Sequence, residues 1–158
     1  MSQPKIKQLS IVDVSFGCNV TVVQPANLYG CCIGDDVFVG PFVEIQKGVT
    51  IGSRTRVQSH SFICEMVIIG EDCFVGHGVM FTNDVFANGG PARGDQSLWK
   101  PTKVGNRVSI GSNVTILPVK ICDDVVIGAG AVVTRDILTA GIYAGVPARR
   151  IRSAGLDA

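Results

Sequence analysis

The sequence predicts an all-β chain folded as a parallel β-helix. β-Branched aliphatic residues recur at every sixth position, glycine often follows them directly, and 19 of the 158 residues are glycine. An α-helix requires an apolar period near 3.6 and a flat strand a period of two, so neither explains a period of six. A six-residue unit is typical of a short strand followed by a turn, and three such units complete one coil of roughly eighteen residues.

The repeat defines the expected core. It runs in units such as "IGDDVF" and "VGPFVE" from Ile33 to Phe81, and it resumes at Val104 with "VGNRVS" and "IGSNVT". Its first place is held by Ile or Val in every unit except the one that starts at Phe81. We expect these residues to stack in an apolar column at the strand spacing of about 4.8 Å, over about five coils. Val14 and Val20 indicate that the pattern begins before Ile33.

Two segments depart from the repeat. The stretch "FTNDVFANGGPARGDQSLWKPT" interrupts it, and we predict a loop over 84–103 in which Arg93, Trp99 and Lys100 can cover a bound nucleotide or sugar. After Pro147 the residues "ARRIRSAGLDA" include better helix formers, so the segment 147–158 predicts a short helix that closes the last coil. The whole chain, 1–158, is expected to form a single domain.

Composition and charge exclude some classes of partner. The net charge is +1 and only 17% of the residues are charged, which argues against a surface built to bind nucleic acid or an anionic membrane. The first residues, "MSQPKIKQLS", lack the apolar core of a signal peptide, and no run reaches the eighteen or so apolar residues of a membrane span. We therefore expect a cytoplasmic protein. The six cysteines form no C-x-x-C pair, which predicts reduced, mostly buried thiols.

The repeat also brings polar residues together. Lys47, Glu65 and Asn83 each hold the third place of a unit and lie eighteen residues apart, so they are expected to stack on one corner of successive coils. Asn83 is the last regular residue before the interruption. A lysine, a carboxylate and an amide would thus meet where the loop departs. The simpler interpretation is a solvated turn, because turns favour Asp, Glu and Asn in any case.

The units, with "IGAGAVVTRDI" and "AGVPARRI", resemble the hexapeptide-repeat acyltransferases. That resemblance implies a left-handed parallel β-helix and a homotrimer that binds acetyl-CoA between neighbouring chains. A second set of segments is similar to the enzymes that acetylate the C3 amino group of nucleotide-linked amino sugars, especially dTDP-3-amino-3,6-dideoxyhexoses used for surface glycans. These segments are "VFVGPFVEIQKGVTIG", "QSHSFICE", "VFVGHGVMFTND" and "WKPTKVG".

The resemblance implies roles for residues at the acceptor site. Acyl transfer from a thioester to an amine requires a neutral amine held close to the thioester carbon. Glu65 and Asp84 would hold the sugar amine, and Asn83 would orient it. Two proton acceptors remain open: the departing thiolate, or His77 as a general base. A further set is expected to contact the substrate: His60, Arg93 and Trp99.

The acetyl-CoA site is expected in the later units. Small residues at Gly111, Ser112 and Ala129 would keep open a groove for the pantetheine arm, and Arg149 and Arg150 match the family's basic residue and would meet a CoA phosphate. The alternative is that the small residues serve turns only and that the arginines belong to a solvated chain end.

Two other functions compete. The acceptor would be a UDP-linked 3-amino sugar acid if Arg54, Arg56 or Arg93 paired with its carboxylate. A non-catalytic trimer scaffold would be expected to have a shortened loop after Asn83 and to have lost the Glu65 column, and the sequence shows neither change. Carbonic anhydrases of the same fold bind zinc through three histidines, whereas this chain has two, so we expect no metal.

Overall fold

The computed structural model describes residues 10–153 and is almost entirely β-structure. Twenty-one short strands lie within these residues, together with one turn of 3₁₀ helix at Gln96–Leu98. The strands form three sheets, and successive strands belong to the three sheets in a repeating order, as a parallel β-helix requires. The sheets are the three faces of a prism, and we call them A, B and C.

The three faces contain seven, six and eight strands. Sheet A consists of β1 (Ile11–Val12), β4 (Asn27–Tyr29), β7 (Glu44–Ile45), β10 (Phe62–Ile63), β13 (Met80–Phe81), β16 (Thr115–Ile116) and β19 (Val132–Val133). Sheet B consists of β2 (Ser15–Phe16), β5 (Cys32–Ile33), β8 (Thr50–Ile51), β11 (Val67–Ile69), β14 (Thr102–Val104) and β17 (Lys120–Ile121). Sheet C consists of β3 (Thr21–Val22), β6 (Phe38–Val39), β9 (Arg56–Val57), β12 (Phe74–Val75), β15 (Ser109–Ile110), β18 (Val125–Ile127), β20 (Gly141–Ala144) and β21 (Arg149–Arg152).

The strand register confirms the six-residue repeat. Ile45 pairs with Ile63, and Ile51 pairs with Ile69, which are separations of eighteen residues between adjacent coils. The first-place residues from Ile33 to Val133 are all buried, and so are the fifth-place residues from Val37 to Ala131. Each coil therefore contributes an inward-facing aliphatic residue from every face, and the core is one continuous column.

The chain forms about seven coils, rather than the five expected. The expected number was too low because the regular units were counted only from Ile33 to Val133. Strands β1–β4 precede these units and β20 follows them, and in the first coil Ile11 is in register with Leu28 and Phe16 with Ile33. This coil is at the end of the stack and its inward side chains stay partly exposed, so it does not require the aliphatic pattern of the interior coils.

The predicted C-terminal helix is wrong for the residues described after Pro147. Arg149–Arg152 form β21, which turns back and pairs antiparallel with β20. The last parallel strand of a coil exposes unpaired backbone groups, and a returning strand satisfies them along its whole length. This requirement outweighs the helix propensity of the segment. The rest of the predicted helix, 154–158, lies outside the described residues.

The interruption is shorter than predicted. Strand β14 begins at Thr102, which pairs with Val67, and Lys103 pairs with Ile68. Thr82 still donates its backbone N–H to the carbonyl of Ile116 at 3.0 Å, so the non-repeating loop spans 84–101 rather than 84–103. Val104 pairs with Ile69, so the chain re-enters sheet B in the register that the repeat requires.

The cysteines are all free thiols, as expected, but only half of them are buried. Cys31, Cys64 and Cys73 are buried, whereas Cys18 and Cys32 are exposed. In the described part of the chain, no helix is long and apolar enough to cross a membrane.

Candidate functional site

The repeat places the candidate residues on the edges of the prism, where the chain passes from one sheet to the next. We call these the A–B, B–C and C–A edges. Glu65 and Asn83 lie on the A–B edge, two residues after the paired core positions Ile63 and Phe81. The side-chain amide of Asn83 donates to the backbone carbonyl of Glu65 at 3.3 Å. The predicted contact between these two residues is therefore present.

A pocket of about 440 Å³ opens beside this contact. Its wall combines the outer side of sheet A, the A–B edge and the loop. Aromatic and apolar side chains supply much of the wall, and acids and amides line one side of it. The lining residues are Gln46, Phe62, Cys64, Glu65, Phe81, Thr82, Asn83, Asp84, Phe86 and Trp99.

The loop is fastened to the pocket at its two ends. The backbone N–H of Lys100 donates to the carbonyl of Asn83 at 2.9 Å, and Asp84 forms an antiparallel bridge with Trp99. The carboxylate of Asp84 accepts the backbone N–H groups of Phe86 at 2.9 Å and Ala92 at 2.7 Å. Asp84 was predicted to hold the substrate amine, and in the structure its carboxylate fixes the shape of the loop through these two hydrogen bonds.

The loop also reaches the carboxylate of Glu65. Gln96 begins the 3₁₀ turn that Asp95 caps, and its side-chain amide donates to Oε2 of Glu65 at 3.3 Å. On the other side of Glu65, the backbone N–H donates to Oε1 of Gln46 at 3.3 Å. Neither glutamine was predicted from the sequence. Gln96 lies in the non-repeating loop, and Gln46 holds a place that glycine occupies in many other units.

A second group of candidates lies on the C–A edge. His77 follows β12 there, and its Nδ1 lies 2.9 Å from the hydroxyl of Ser59 on the preceding coil. Further along the same edge come Ser112 and Ala129, which follow β15 and β18. The backbones approach closely here, since a Cβ added to Gly111 would lie 2.5 Å from the backbone nitrogen of Ala129.

His60 lies on the C–A edge as well, but its contacts are with the protein. Its ring stacks on that of Phe42, with centroids 4.8 Å apart and an angle of 28° between the planes. Arg93 is exposed on the loop. The predicted substrate contacts His60, Arg93 and Trp99 are thus distributed between one edge and the loop, and of these only Trp99 lines the pocket at Glu65.

The two arginines lie at the end of sheet C. Arg149 and Arg150 belong to β21, and with Arg135 they line a small pocket of about 190 Å³. The guanidinium of Arg150 donates to the carbonyl of Ala140 at 3.1 Å, which fixes its direction. Three guanidinium groups around one small pocket can accept an anion, although Asp136 in the same wall offsets part of the charge.

The candidate residues therefore lie in two groups, which we call half-sites, on different edges of one chain. The A–B edge holds the acid, the amide and the loop, whereas the C–A edge holds His77 and the small residues predicted for CoA. Sheet A lies between the two edges. Burial raises the pKa of the Cys64 thiol, which lines the pocket of the first half-site, to about 12.

Family models match the repeat on both sides of the loop. The model described as "Bacterial transferase hexapeptide (six repeats)" matches residues 30–65. The model described as "Hexapeptide repeat of succinyl-transferase" matches residues 66–80 and 101–135. Together they cover more than half of the chain, and the gap between the matched stretches coincides with the loop.

Curated relatives include proteins much longer than this chain. The bifunctional protein GlmU of Thermotoga petrophila is 30% identical over 145 residues, which cover 80% of this chain and 30% of the relative. The GlmU protein of Baumannia cicadellinicola is 34% identical over 135 residues, covering 84% of this chain and 26% of the relative. The chain thus spans less than a third of the length of these relatives.

Solved structures share the fold over most of the chain. AntD, an N-acyltransferase from Bacillus cereus solved with dTDP and coenzyme A, is 25% identical with a TM-score of 0.77, covering 89% of this chain and 84% of its own. A galactoside acetyltransferase solved with coenzyme A is 30% identical with a TM-score of 0.67, covering 78% and 64%. The perosamine N-acetyltransferase of Caulobacter crescentus, at 22% identity and a TM-score of 0.71 over 84% and 56%, shares the fold. With the repeat, the coil register and the matched models in agreement, the chain belongs to the hexapeptide-repeat transferase family.

Proposed function

We propose that the protein is an acetyl-CoA-dependent N-acetyltransferase whose acceptor is the C3 amino group of a dTDP-3-amino-3,6-dideoxyhexose. The observation that carries this proposal is the pocket on the A–B edge, where Glu65, Asn83 and the anchored loop meet. AntD, which was solved with dTDP and coenzyme A, supports the choice of nucleotide and cosubstrate. We expect the reaction to take place in the cytoplasm and to supply surface glycan synthesis.

The chemistry requires the amine to approach as a neutral nucleophile. Its nitrogen attacks the thioester carbon of acetyl-CoA, a C–N bond forms, and the C–S bond breaks with release of the CoA thiolate. Glu65 and the side-chain oxygen of Asn83 accept hydrogen bonds from the amine and aim its lone pair at the thioester. The proton that the nitrogen loses ends on the thiolate, either directly or by way of His77.

The position of His77 supports an active site shared between chains. The Ser59 hydroxyl contacts Nδ1, which leaves Nε2 to face a substrate. His77 lies on the C–A edge, whereas Glu65 and Asn83 lie on the A–B edge. A homotrimer that sets the C–A edge of one chain against the A–B edge of the next would unite the two half-sites, and a monomer would be inactive.

The two competing functions have less support. A sugar acid would need a basic partner, but Arg54 is ion-paired with Glu71 and Asp72 on the B–C edge. Arg56 lies over the ring of Phe38 on sheet C, 4.4 Å from its centroid. Arg93, the third candidate, is exposed on the loop but does not line the pocket at Glu65. A non-catalytic scaffold would not need an anchored loop directed at Glu65.

The test is an acceptor panel with released thiol as the readout. We expect turnover with dTDP-linked 3-amino sugars and little with UDP-linked 3-amino sugar acids. Asn83→Ala and Glu65→Ala should each lower kcat/KM by at least about 100-fold, because they remove groups that orient the nucleophile. Asn19→Gly is the matched control. It removes an amide on the B–C edge at a position with φ of 55°, which glycine accommodates.

Two results would overturn the proposal. Normal turnover of both variants would show that the acceptor site lies elsewhere. An absence of thiol release with every 3-amino sugar nucleotide would refute the function itself. A pH–rate profile of His77→Ala separates the two proton acceptors, since loss of the acidic limb, where a protonated imidazole can no longer accept a proton, would identify His77 as the base.

A further inference from the structure

A row of hydrogen-bonded polar side chains lies on the outer side of sheet A and ends at Glu65. The Tyr29 hydroxyl donates to Oε1 of Glu44 at 2.9 Å, and the Gln46 amide nitrogen donates to the same oxygen at 3.0 Å. Oε1 of Gln46 then accepts the backbone N–H of Glu65 at 3.3 Å. All four residues are half-buried, so water competes with these contacts less than it would at a fully exposed surface.

Glu44 determines the direction of this row. A side-chain amide can present either its NH₂ group or its oxygen to a neighbour, whereas an ionised carboxylate only accepts. Because Glu44 faces Gln46, the NH₂ group of Gln46 must point towards Glu44. The oxygen of Gln46 then points towards the Glu65 N–H, which is the contact observed.

Tyr29 keeps Glu44 in place. Burial, followed by the hydrogen bond to Glu44, raises the pKa of Tyr29 to about 12, so this hydroxyl remains a donor at any pH at which the protein would work. Glu44 itself lines a different pocket, with Pro25 and Phe42. The hydrogen bonds that connect Glu44 to Glu65 run through Gln46.

Glu65 is held on three sides when the row is intact. Its N–H is bound by Gln46, its backbone carbonyl by Asn83, and its carboxylate by Gln96 of the loop. Loss of the Gln46 contact would release the backbone of Glu65 on the side away from the loop. The carboxylate would then no longer be fixed relative to Asn83, with which it is proposed to bind the amine.

We propose that Glu44 is a positioning residue for the acceptor site, which orients the Gln46 amide and through it the carboxylate of Glu65. This inference rests on the proposed function, since it assigns Glu44 to the step in which Glu65 holds the amine. Glu44 touches neither substrate. It acts on kcat more than on KM, because a misdirected amine still binds but attacks slowly.

A double-mutant cycle tests the coupling. Glu44→Ala and Gln46→Ala should each lower kcat by about tenfold, the rate equivalent of one hydrogen bond of ordinary strength. The double variant should be no slower than Gln46→Ala alone, because Glu44 acts through Gln46. Glu71→Gln is the matched control on the B–C edge and should keep the wild-type rate. Additive losses, or a wild-type rate in Glu44→Ala, would overturn the proposal.

An exchange of the two side chains gives a sharper result. Gln46→Glu alone sets two carboxylates against each other and should be slow. Combined with Glu44→Gln, the new amide can donate to the new carboxylate, which can still accept the Glu65 N–H. We expect this exchanged pair to recover most of the rate that Gln46→Glu loses. No recovery, with the wild-type melting temperature retained, would refute the orienting role.

Hydrogen exchange separates failure of this inference from failure of the proposed function. If the wild type acetylates no amino sugar, the function is wrong, but the row can still be tested. Amide exchange at Glu65 should be faster in Glu44→Ala than in the wild type or Glu71→Gln, since Gln46 no longer accepts that N–H. Unchanged protection at Glu65 would overturn the inference whatever the activity.

Discussion

Replacement of Gly52 by alanine should destabilise the prism through a clash between coils. Gly52 holds the second place of its unit, and a Cβ at that position would lie 2.5 Å from the carbonyl carbon of Gly70 and 2.6 Å from its oxygen. Both atoms belong to the backbone of the next coil, so rotation of a side chain cannot relieve the contact. Gly52 lies on the B–C edge, remote from both half-sites.

The structure sets the size of the effect. The distance of 2.5 Å is 0.9 Å inside the 3.4 Å at which ordinary van der Waals contact begins. The two coils would have to separate by nearly that amount, against ladder bonds of 2.8 Å from Gly52 N to Ile69 O and 2.9 Å from Gly70 N to Val104 O. We therefore expect Gly52→Ala to lower the free energy of unfolding by about 2–3 kcal/mol, near the upper end of the range for overpacking. For a domain of this size that corresponds to a fall in Tm of about 5–10 °C.

Substitutions at two other glycines distinguish the cost of a packing clash from the cost of backbone strain. Gly48 has open space around its Cβ position but a φ of 75°, so Gly48→Ala should cost about 1–2 kcal/mol from conformation alone. Gly90 has neither a contact within 4 Å nor a positive φ, so Gly90→Ala should leave stability unchanged or raise it by up to about 1 kcal/mol. Urea unfolding monitored by circular dichroism ranks the three variants by their free energy of unfolding. If Gly52→Ala is as stable as Gly90→Ala, the close approach of coils is not what requires glycine.

Three further predictions concern acid stability, thiol reactivity and the core. Arg54 donates to Asp72 at 2.7 Å and holds the pKa of the Asp72 carboxyl below its ordinary value of 3.8. The ion pair therefore stabilises the fold above about pH 3.8, and this stabilisation is lost as the pH falls below that value. Melting scans from about pH 5 to about pH 2 should therefore show a smaller loss of Tm in Arg54→Gln than in the wild type, and equal losses would contradict the pairing. Iodoacetamide should label the exposed Cys32 and spare the buried Cys64 in the native protein, which peptide mass mapping checks. Phe81→Ala should cost about 3–5 kcal/mol in urea unfolding, because the ring is 1% exposed, and Phe81→Leu should cost clearly less.

The core was predictable because its physical cause repeats. Every interior coil must place a β-branched residue inward at the same point of each face, so the sequence shows the same residue types at a fixed spacing. The same argument predicted the contact of Glu65 with Asn83, since positions eighteen apart lie on adjacent coils. Where the coil is terminal the requirement weakens. Ile11 and Phe16 are 39% and 43% exposed, and in the sequence only Val14 and Val20 indicated their coil.

The role of glycine was only half predictable. The alternative interpretation attributed second-place glycines such as Gly111 to turns, which would have required positive φ. In the structure the left-handed positions are instead held by residues such as Arg54, Asp72 and Arg107, with φ between 55° and 60°. Second-place glycine is required because the next coil lies against it. Contact between coils depends on three-dimensional packing, which a periodicity in one chain indicates only indirectly.

The loop shows why a regular scaffold can carry an irregular site. The insertion between β13 and β14 leaves Val104 paired with Ile69 and the ladder unbroken. The repeat alone places Glu65 and Asn83 at a fixed spacing, and the inserted loop alone brings Gln96 and Trp99 to them. Variation of the acceptor pocket can therefore be confined to residues 84–101 without a cost to the core. Exchange of this loop for that of a relative with another acceptor should alter the choice of sugar while the melting temperature stays close to that of the wild type.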